Sequence, residues 1–208
     1  MNKNLLIVGA GIYGVVAKEI AESMNCFDKI DFVDDRAKAT PNGIRVIGTT
    51  DDLDELATDY SNIIVAIGDP RTRLSLLNKI EEEFSFAIAT LVSPRAYISP
   101  SSQIMKGSIV EPMAVVHTGA VVSKGCIVSA GAVVNHASLC CEVCHIDCNA
   151  TVAGQTIVPA GTKVCSGEVF RKTSVDTSDF FLGKENEPKK PHGPIETETL
   201  KYCFEDGM

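Results

Sequence analysis

The chain has 208 residues, 45% hydrophobic and 22% charged, enough for one large or two small domains of an ordinary globular protein. A formal charge of −8 argues against nucleic acid or an anionic membrane as partner, since either needs a basic face, so an anionic ligand has to be held by local donors. No stretch approaches the roughly 20 apolar residues that span a bilayer, and no cleavage site follows the apolar start, so a cytoplasmic setting is expected in which the eight cysteines stay thiols.

Residues 4–10 (NLLIVGA) have the pattern of a buried strand and run into Gly9-Ala-Gly11-Ile-Tyr13-Gly14 and the helical stretch 15–24. Strand, G-x-G-x-x-G and helix in succession suit a phosphate: the glycines allow close backbone approach, and the helix N-terminus offers free N–H groups. A second strand over 29–35 ends at Asp34 and Asp35, about where an acid can hold a ribose hydroxyl. A helix over 51–59, a strand over 62–68 ending at Gly68, then Asp69 and a helix from about Arg71 to Glu83 complete a β-α-β-α-β-α order. Residues 1–92 are therefore predicted to form an α/β N-terminal domain with a small Rossmann-like parallel sheet. A dinucleotide needs two mononucleotide halves and this segment supplies roughly one, so a single nucleotide fits better than NAD.

From Ile98 the rhythm changes. An aliphatic or similar residue stands at every sixth position: Ile98, Ile104, Val110, Val116, Val122, Val128, Val134, Cys140, Ile146, Val152, Val158 and Val164. Four residues after each of the first eleven comes a small side chain, from Ser102 to Thr162. Such a period predicts a β-solenoid with three units to a triangular coil, about four coils within residues 93–170. Residues 171–208 follow as an extension whose end is expected to be mobile.

The repeat resembles that of the hexapeptide-repeat acyltransferases, whose fold is a left-handed parallel β-helix. Preceded by a short α/β domain carrying GAGIYG, FVDD and AIGDPRTR, and joined through LVSPRAYISPSS, it resembles the nucleotide-sugar acetyltransferases of the bacillosamine UDP-amino-sugar N-acetyltransferase and sialic-acid O-acetyltransferase group. The resemblance covers roughly residues 4–165. It implies an enzyme that moves acetyl from acetyl-CoA to an amino group of a UDP-linked amino sugar by direct transfer. It also implies a homotrimer with active sites between subunits.

Acyl transfer from a thioester needs a base for the attacking group and a donor for the oxyanion. His136 lies outside the inward positions of the repeat, and Gly154 comes eighteen residues, or one full coil, after it. The resemblance implies that His136 is the base, the Gly154 backbone amide the oxyanion donor, and His145, Ala153 and Gly154 contacts to acetyl-CoA. Gly9, Gly11, Tyr13, Asp34, Asp35, Gly68 and Asp69 are the implied substrate contacts, with no metal. Two departures stand out: Ala137 replaces the acid that follows the base in relatives, and Ile12-Tyr13 replaces their Gly-His. Arg171 and Lys172 begin a tail unlike the segment that lines the coenzyme in relatives, and His192 in it is read as a solvated residue.

Other classes remain open from sequence. A sialic-acid or glycan-precursor O-acetyltransferase would use the same base, and a non-catalytic nucleotide-sugar-binding protein would be consistent with Ala137. A γ-type carbonic anhydrase would need three zinc-bound His, but His117, His136 and His145 are nineteen and nine residues apart. The stretch CCEVCHIDC at 140–148 spells the C-x-x-C-H of a haem site. In the six-residue frame, Cys140 and Cys144 occupy inward slots, so packing explains them better than metal.

Overall fold

Four apolar residues, Leu5–Val8, form the buried strand β1 in this computed structural model, which describes residues 3–171. A strand covered on both faces has no polar side to show, hence the unbroken apolar run. β1 pairs in parallel with β2 (Ile30–Val33) and β4 (Asn62–Val65). Two short edge strands, β3 (Val46–Gly48) and β5 (Ala87–Ile88), extend the sheet to the order β3-β2-β1-β4-β5. Sequence pattern points to the three inner strands only, because two or three half-exposed residues carry no periodicity. Helix α1 (Ile12–Met24) covers one face of the sheet and α3 (Pro70–Glu83) the other, each over its own apolar cluster.

The helix expected over 51–59 is a correction. The chain makes a 3-10 turn, Thr50–Asp52, and a single helical turn, α2 (Leu53–Leu56). Thr49 and Asp52 cap each other and fix the start, but in α2 only Leu53 is buried, and so short an amphipathic face does not sustain a longer helix.

From Leu91 to Phe170 the chain forms fourteen two-residue strands at six-residue intervals, β6 (Leu91–Val92) through β19 (Val169–Phe170). Each of the first eleven pairs in parallel with the strand eighteen residues on, as in Val116↔Val134↔Val152, which builds three sheets around a triangular core. The expected left-handed β-helix is thus the observed fold. All twelve aliphatic positions are the second residue of a strand, and apart from the half-buried Ile98 none is more than 2% exposed. The repeat reaches one unit further at each end, to Val92 and Phe170.

A second clock runs in the turns. From Gly107 to Gly167 every sixth residue has a positive φ, between 51° and 75°, and Met113, Ala137, Val143, Asn149 and Gln155 adopt it without being glycine. Because the non-glycine members hide this signal, the turn period is harder to read than the aliphatic one.

The α/β unit docks on the solenoid through α1 and α3. Leu91 and Ile109 of one solenoid face join the cluster under α1. Arg73 of α3 is fully buried, donating from Nε to Gly125 O (2.7 Å), from Nη1 to Ile67 O (2.6 Å) and Gly68 O (2.9 Å), and from Nη2 to Val143 O (2.8 Å). Gly125 and Val143 are equivalent turn residues of successive coils, so one guanidinium ties the β4–α3 turn to both. Glu81 adds a surface bridge to Lys106 and Lys124.

Candidate functional site

Two regions carry the predicted residues. The first is a cavity of about 730 Å³ at the C-terminal ends of β1, β2 and β4, lined in part by Gly9, Asp34, Asp35, Asp69 and Arg71. Gly9 has φ +108°, and a Cβ there would meet Ala66 O at 3.0 Å, so the turn out of β1 admits no other residue cheaply. Gly14 serves packing: a Cβ would lie 2.0 Å from Gly9 O. No side chain caps α1 at Gly11, which leaves its first N–H groups available.

The acids of this cavity also hold its walls. Asp34 accepts from the N–H groups of Ala10 (2.8 Å), Arg36 (2.9 Å) and Ala37 (2.8 Å); burial pushes its carboxyl up, but these donors bring it below its ordinary pKa. Asp35 accepts from Thr50 N at 2.8 Å. Asp69 caps α3, accepting from Thr72 Oγ1 (2.7 Å) and Thr72 N (2.8 Å), which lower its pKa. Gly11, Tyr13 and Gly68 are not in the cavity lining. The Tyr13 hydroxyl is instead buried on the solenoid side, near the Glu111 carboxyl but without a partner at hydrogen-bond distance; burial, then Glu111, raises its pKa well above normal.

The second region is the solenoid turn after Val133–Val134. His136 is exposed there and lies directly beneath Gly154, whose N-terminal neighbour Ala153 stacks over Asn135. A Cβ on Gly154 would lie 2.6 Å from His136 Cε1 and 2.8 Å from Nε2, so the imidazole occupies the space that any side chain at 154 would take. The glycine is required by this approach and not by its backbone angles, which are not left-handed. Among the described residues nothing accepts from the Gly154 N–H, whereas both backbone groups of Ala153 are engaged, its N–H by Phe170 O (3.0 Å) and its carbonyl by Ser138 Oγ (2.8 Å).

Two side chains, Asn135 and His117, neighbour the His136 ring. Asn135 Oδ1 lies 2.8 Å from His136 Nδ1. His117 meets the His136 ring edge-on with centroids 6.4 Å apart, as follows from a spacing of one coil plus one residue. With Ala137 in place of the acid, Glu111 and Glu142 are the carboxylates of neighbouring coils, and neither is hydrogen-bonded to the ring: Glu111 is buried and accepts from Ala130 N (3.0 Å), with burial raising its pKa, and Glu142 is exposed.

His145 sits elsewhere, on the outer side of the solenoid face that also carries Ile109 and Ile127. Its Nε2 is 3.1 Å from Ser129 Oγ and 3.7 Å from Asp147, and burial lowers its pKa more than Asp147 raises it. No hydrogen bond or ring contact joins it to His136 within the chain. Around it, Cys140 and Cys144 are fully buried in the solenoid core, while Cys148 is exposed. The cysteines of the stretch 140–148 are therefore divided between the inside and the outside of one coil; of the C-x-x-C-H pair itself, Cys144 is buried and Cys141 half-buried. Lys172 and His192, with the rest of the extension, lie outside the described residues.

Comparison with known proteins agrees with this architecture. Residues 4–80 match the family described as the PglD N-terminal domain, and no curated protein matches the sequence. The acetyltransferase domain of PglB from Neisseria gonorrhoeae FA1090, solved in complex with acetyl coenzyme A, is 32% identical with a TM-score of 0.72, over 80% of this chain and 90% of that one. PerB from Caulobacter crescentus, in complex with CoA and GDP-perosamine, shares the fold at 22% identity and a TM-score of 0.52, over 80% and 90% of the two chains. WeeI from Acinetobacter baumannii AYE does so at 16% and 0.53, over 79% and 87%. Since the gonococcal likeness runs through the α/β unit and the solenoid alike, this chain belongs to the hexapeptide-repeat, left-handed β-helix family of nucleotide-sugar acetyltransferases.

Proposed function

We propose that this chain transfers acetyl from acetyl-CoA to the amino group of a UDP-linked amino sugar, with His136 as general base. The observation that carries the reading is the stack of His136 under Gly154, which sets a ring nitrogen beside an unengaged backbone N–H. The imidazole takes a proton from the amine as its nitrogen attacks the acetyl carbonyl. The Gly154 N–H donates to the oxygen that gains charge. The C–S bond then breaks and the thiolate of CoA leaves, so no acyl-enzyme forms. Acetyl-CoA as donor is supported by the gonococcal domain, which was solved with it.

In this reading Gly9, Asp34, Asp35 and Asp69 line the nucleotide-sugar cavity, the open start of α1 at Gly11 faces phosphate, and Gly68 and Tyr13 act from behind it. His145, with Ala153 and Gly154, borders the thioester. Residues 1–90 are the nucleotide-sugar domain and 91–170 the acyltransferase domain, two residues earlier than the boundary expected at 92, because Leu91–Val92 pair with Ile109–Val110 in the solenoid. A cytoplasmic site of action fits the described cysteines, which form no disulfide with one another.

His136 and His145 stand on different parts of one coil, so a shared site needs two chains. For the trimer itself, the two solenoid faces whose outward residues join neither α/β cluster supply the surface, while His145 is on the third: Tyr97, Val115, Val133, Thr151 and Val169 on one, and Val121, Leu139 and Ile157 on the other. Tyr97 is 57% and Val169 49% exposed. Two different apolar faces on one molecule can pack head to tail, which in a homotrimer gives three equivalent contacts. The His136 turn lies at the corner where these faces meet.

A screen of UDP-amino sugars and sialic acids with acetyl-CoA, following thiol release, tests the function. Turnover of a UDP-amino sugar that is lost in His136→Ala is the expected result. Turnover of only a hydroxyl acceptor would assign O-acetylation, and an unchanged rate in His136→Ala would remove the proposed base.

A further inference from the structure

The turn that presents His136 also holds a group to which neither the resemblance nor the reading above gives a role, the side chain of Asn135. We infer that Asn135 is a positioning residue that locks the His136 imidazole in one tautomer, with hydrogen on Nδ1 and the lone pair on Nε2. The inference rests on His136 being the base. It deepens that reading by saying which nitrogen acts and what holds it.

Asn135 Oδ1 lies 2.7 Å from the His136 backbone N and 2.8 Å from His136 Nδ1. An amide side chain and an imidazole can each be placed two ways, and their geometry alone leaves four combinations. The backbone N–H removes the ambiguity. It can only donate, so the amide atom facing it is the oxygen and not the NH2 group. That oxygen can only accept, so Nδ1 carries the hydrogen and Nε2 is left with its lone pair. Nε2 is also the ring nitrogen nearer the Gly154 side chain position, at 2.8 Å against 3.1 Å for Nδ1.

Relatives place an acid after the base, and this chain has Ala137, with φ 51°. Asn135 does the orienting part of the acid's work from the other side of the histidine, and without its charge. During transfer the amine proton passes to Nε2 as the N–C bond forms. When the C–S bond breaks, Nε2–H returns that proton to the departing sulfur or to water. The Nδ1 hydrogen remains on its bond to Asn135 throughout. The titratable group that faces the ring is His117, at 6.4 Å between centroids; its Nδ1 accepts from Thr118 N (3.0 Å), which puts its own hydrogen on Nε2 when neutral. Among the described residues no carboxylate is hydrogen-bonded to His136.

Long-range proton–nitrogen NMR of the full chain, with histidine labelled in the ring nitrogens, reads the tautomer without any substrate. The His136 signals are those that vanish in His136→Ala. The wild-type protein above the His136 titration is expected to show the Nδ1–H form, against the Nε2–H form that histidine prefers in water, and Asn135→Ala is expected to return the ring towards the solution mixture. Asn135→Asp keeps the acceptor and adds a charge, so the His136 titration midpoint is expected to move up by about one unit or more. A wild-type ring in the Nε2–H form, or an Asn135→Asp midpoint equal to the wild-type one, overturns the inference. If Asn135→Ala does not fold, the wild-type tautomer decides. The base assignment fails on different evidence, an undiminished acetylation rate in His136→Ala, so the two failures are separable.

Discussion

At Gly154 the constraint is steric contact with a catalytic candidate, and that makes its substitution informative. A methyl group there would press on the imidazole at 2.6 Å from Cε1, and the ring, being exposed, has room to swing away. Gly154→Ala is therefore expected to lower kcat by about 100-fold while leaving the melting temperature unchanged, as steady-state kinetics beside a thermal melt would show. Glu111 presents the opposite case, a buried carboxyl whose partners do not offset its burial. Its folded pKa lies above its unfolded one, because burial outweighs the donors at Ala130 and Ser129. Between those two values the folded state binds more protons, so stability falls as pH rises through that window. Glu111→Gln keeps an acceptor for Ala130 N and cannot ionise. Urea titrations are expected to show the variant gaining on the wild type as the pH is raised from 4 to 7, and a constant difference would refute the assignment.

At the level of elements, α3 is joined to the solenoid by a charge without a counter-charge. Arg73 spends its guanidinium on four carbonyl oxygens, in the β4–α3 turn and in two successive coils. Burial lowers its pKa, and among the described residues no carboxylate is hydrogen-bonded to it. Removing the side chain leaves those carbonyls short of donors inside a closed interface, so Arg73→Ala is expected to cost on the order of 3 kcal/mol in denaturant unfolding. Arg73→Lys, with a single ammonium in place of a planar fork, should recover only part of it. The turn before α3 also carries Ile67 and Asp69, which line the cavity at the C-terminal ends of β1, β2 and β4, so this clamp fixes that cavity's distance from the solenoid. The sequence shows AIGDPRTR as a loop-to-helix motif, yet nothing in it distinguishes the exposed Arg71 from the buried Arg73.

For the whole molecule, the uncovered apolar faces bear on assembly. Val133 is central to the stripe that runs from Tyr97 to Val169. Val133→Asp points a carboxylate out of that stripe without touching the inward core, so it is expected to convert a trimer into monomers in size-exclusion chromatography with light scattering. A wild-type protein that is already monomeric would end the trimer proposal. Cys140 shows what was legible beforehand: a six-residue period needs only to be counted, and it placed a suspicious cysteine in the core because strand geometry repeats whatever fills it. The glycine loop and the inner strands were legible for a similar reason, since local backbone demands leave a local pattern. The length of α2, the edge strands, the burial of Tyr13 and Arg73 and the Asn135–His136 bond were not, because each depends on which distant surface arrives beside it. The sequence by itself determined the coil, its register and the stack of Gly154 on His136, all consequences of a fixed rise per repeat. Only the tertiary structure decided which solenoid face the α/β unit covers and which way the histidine's neighbours turn, because side-chain contacts between units follow from packing and have no period to read.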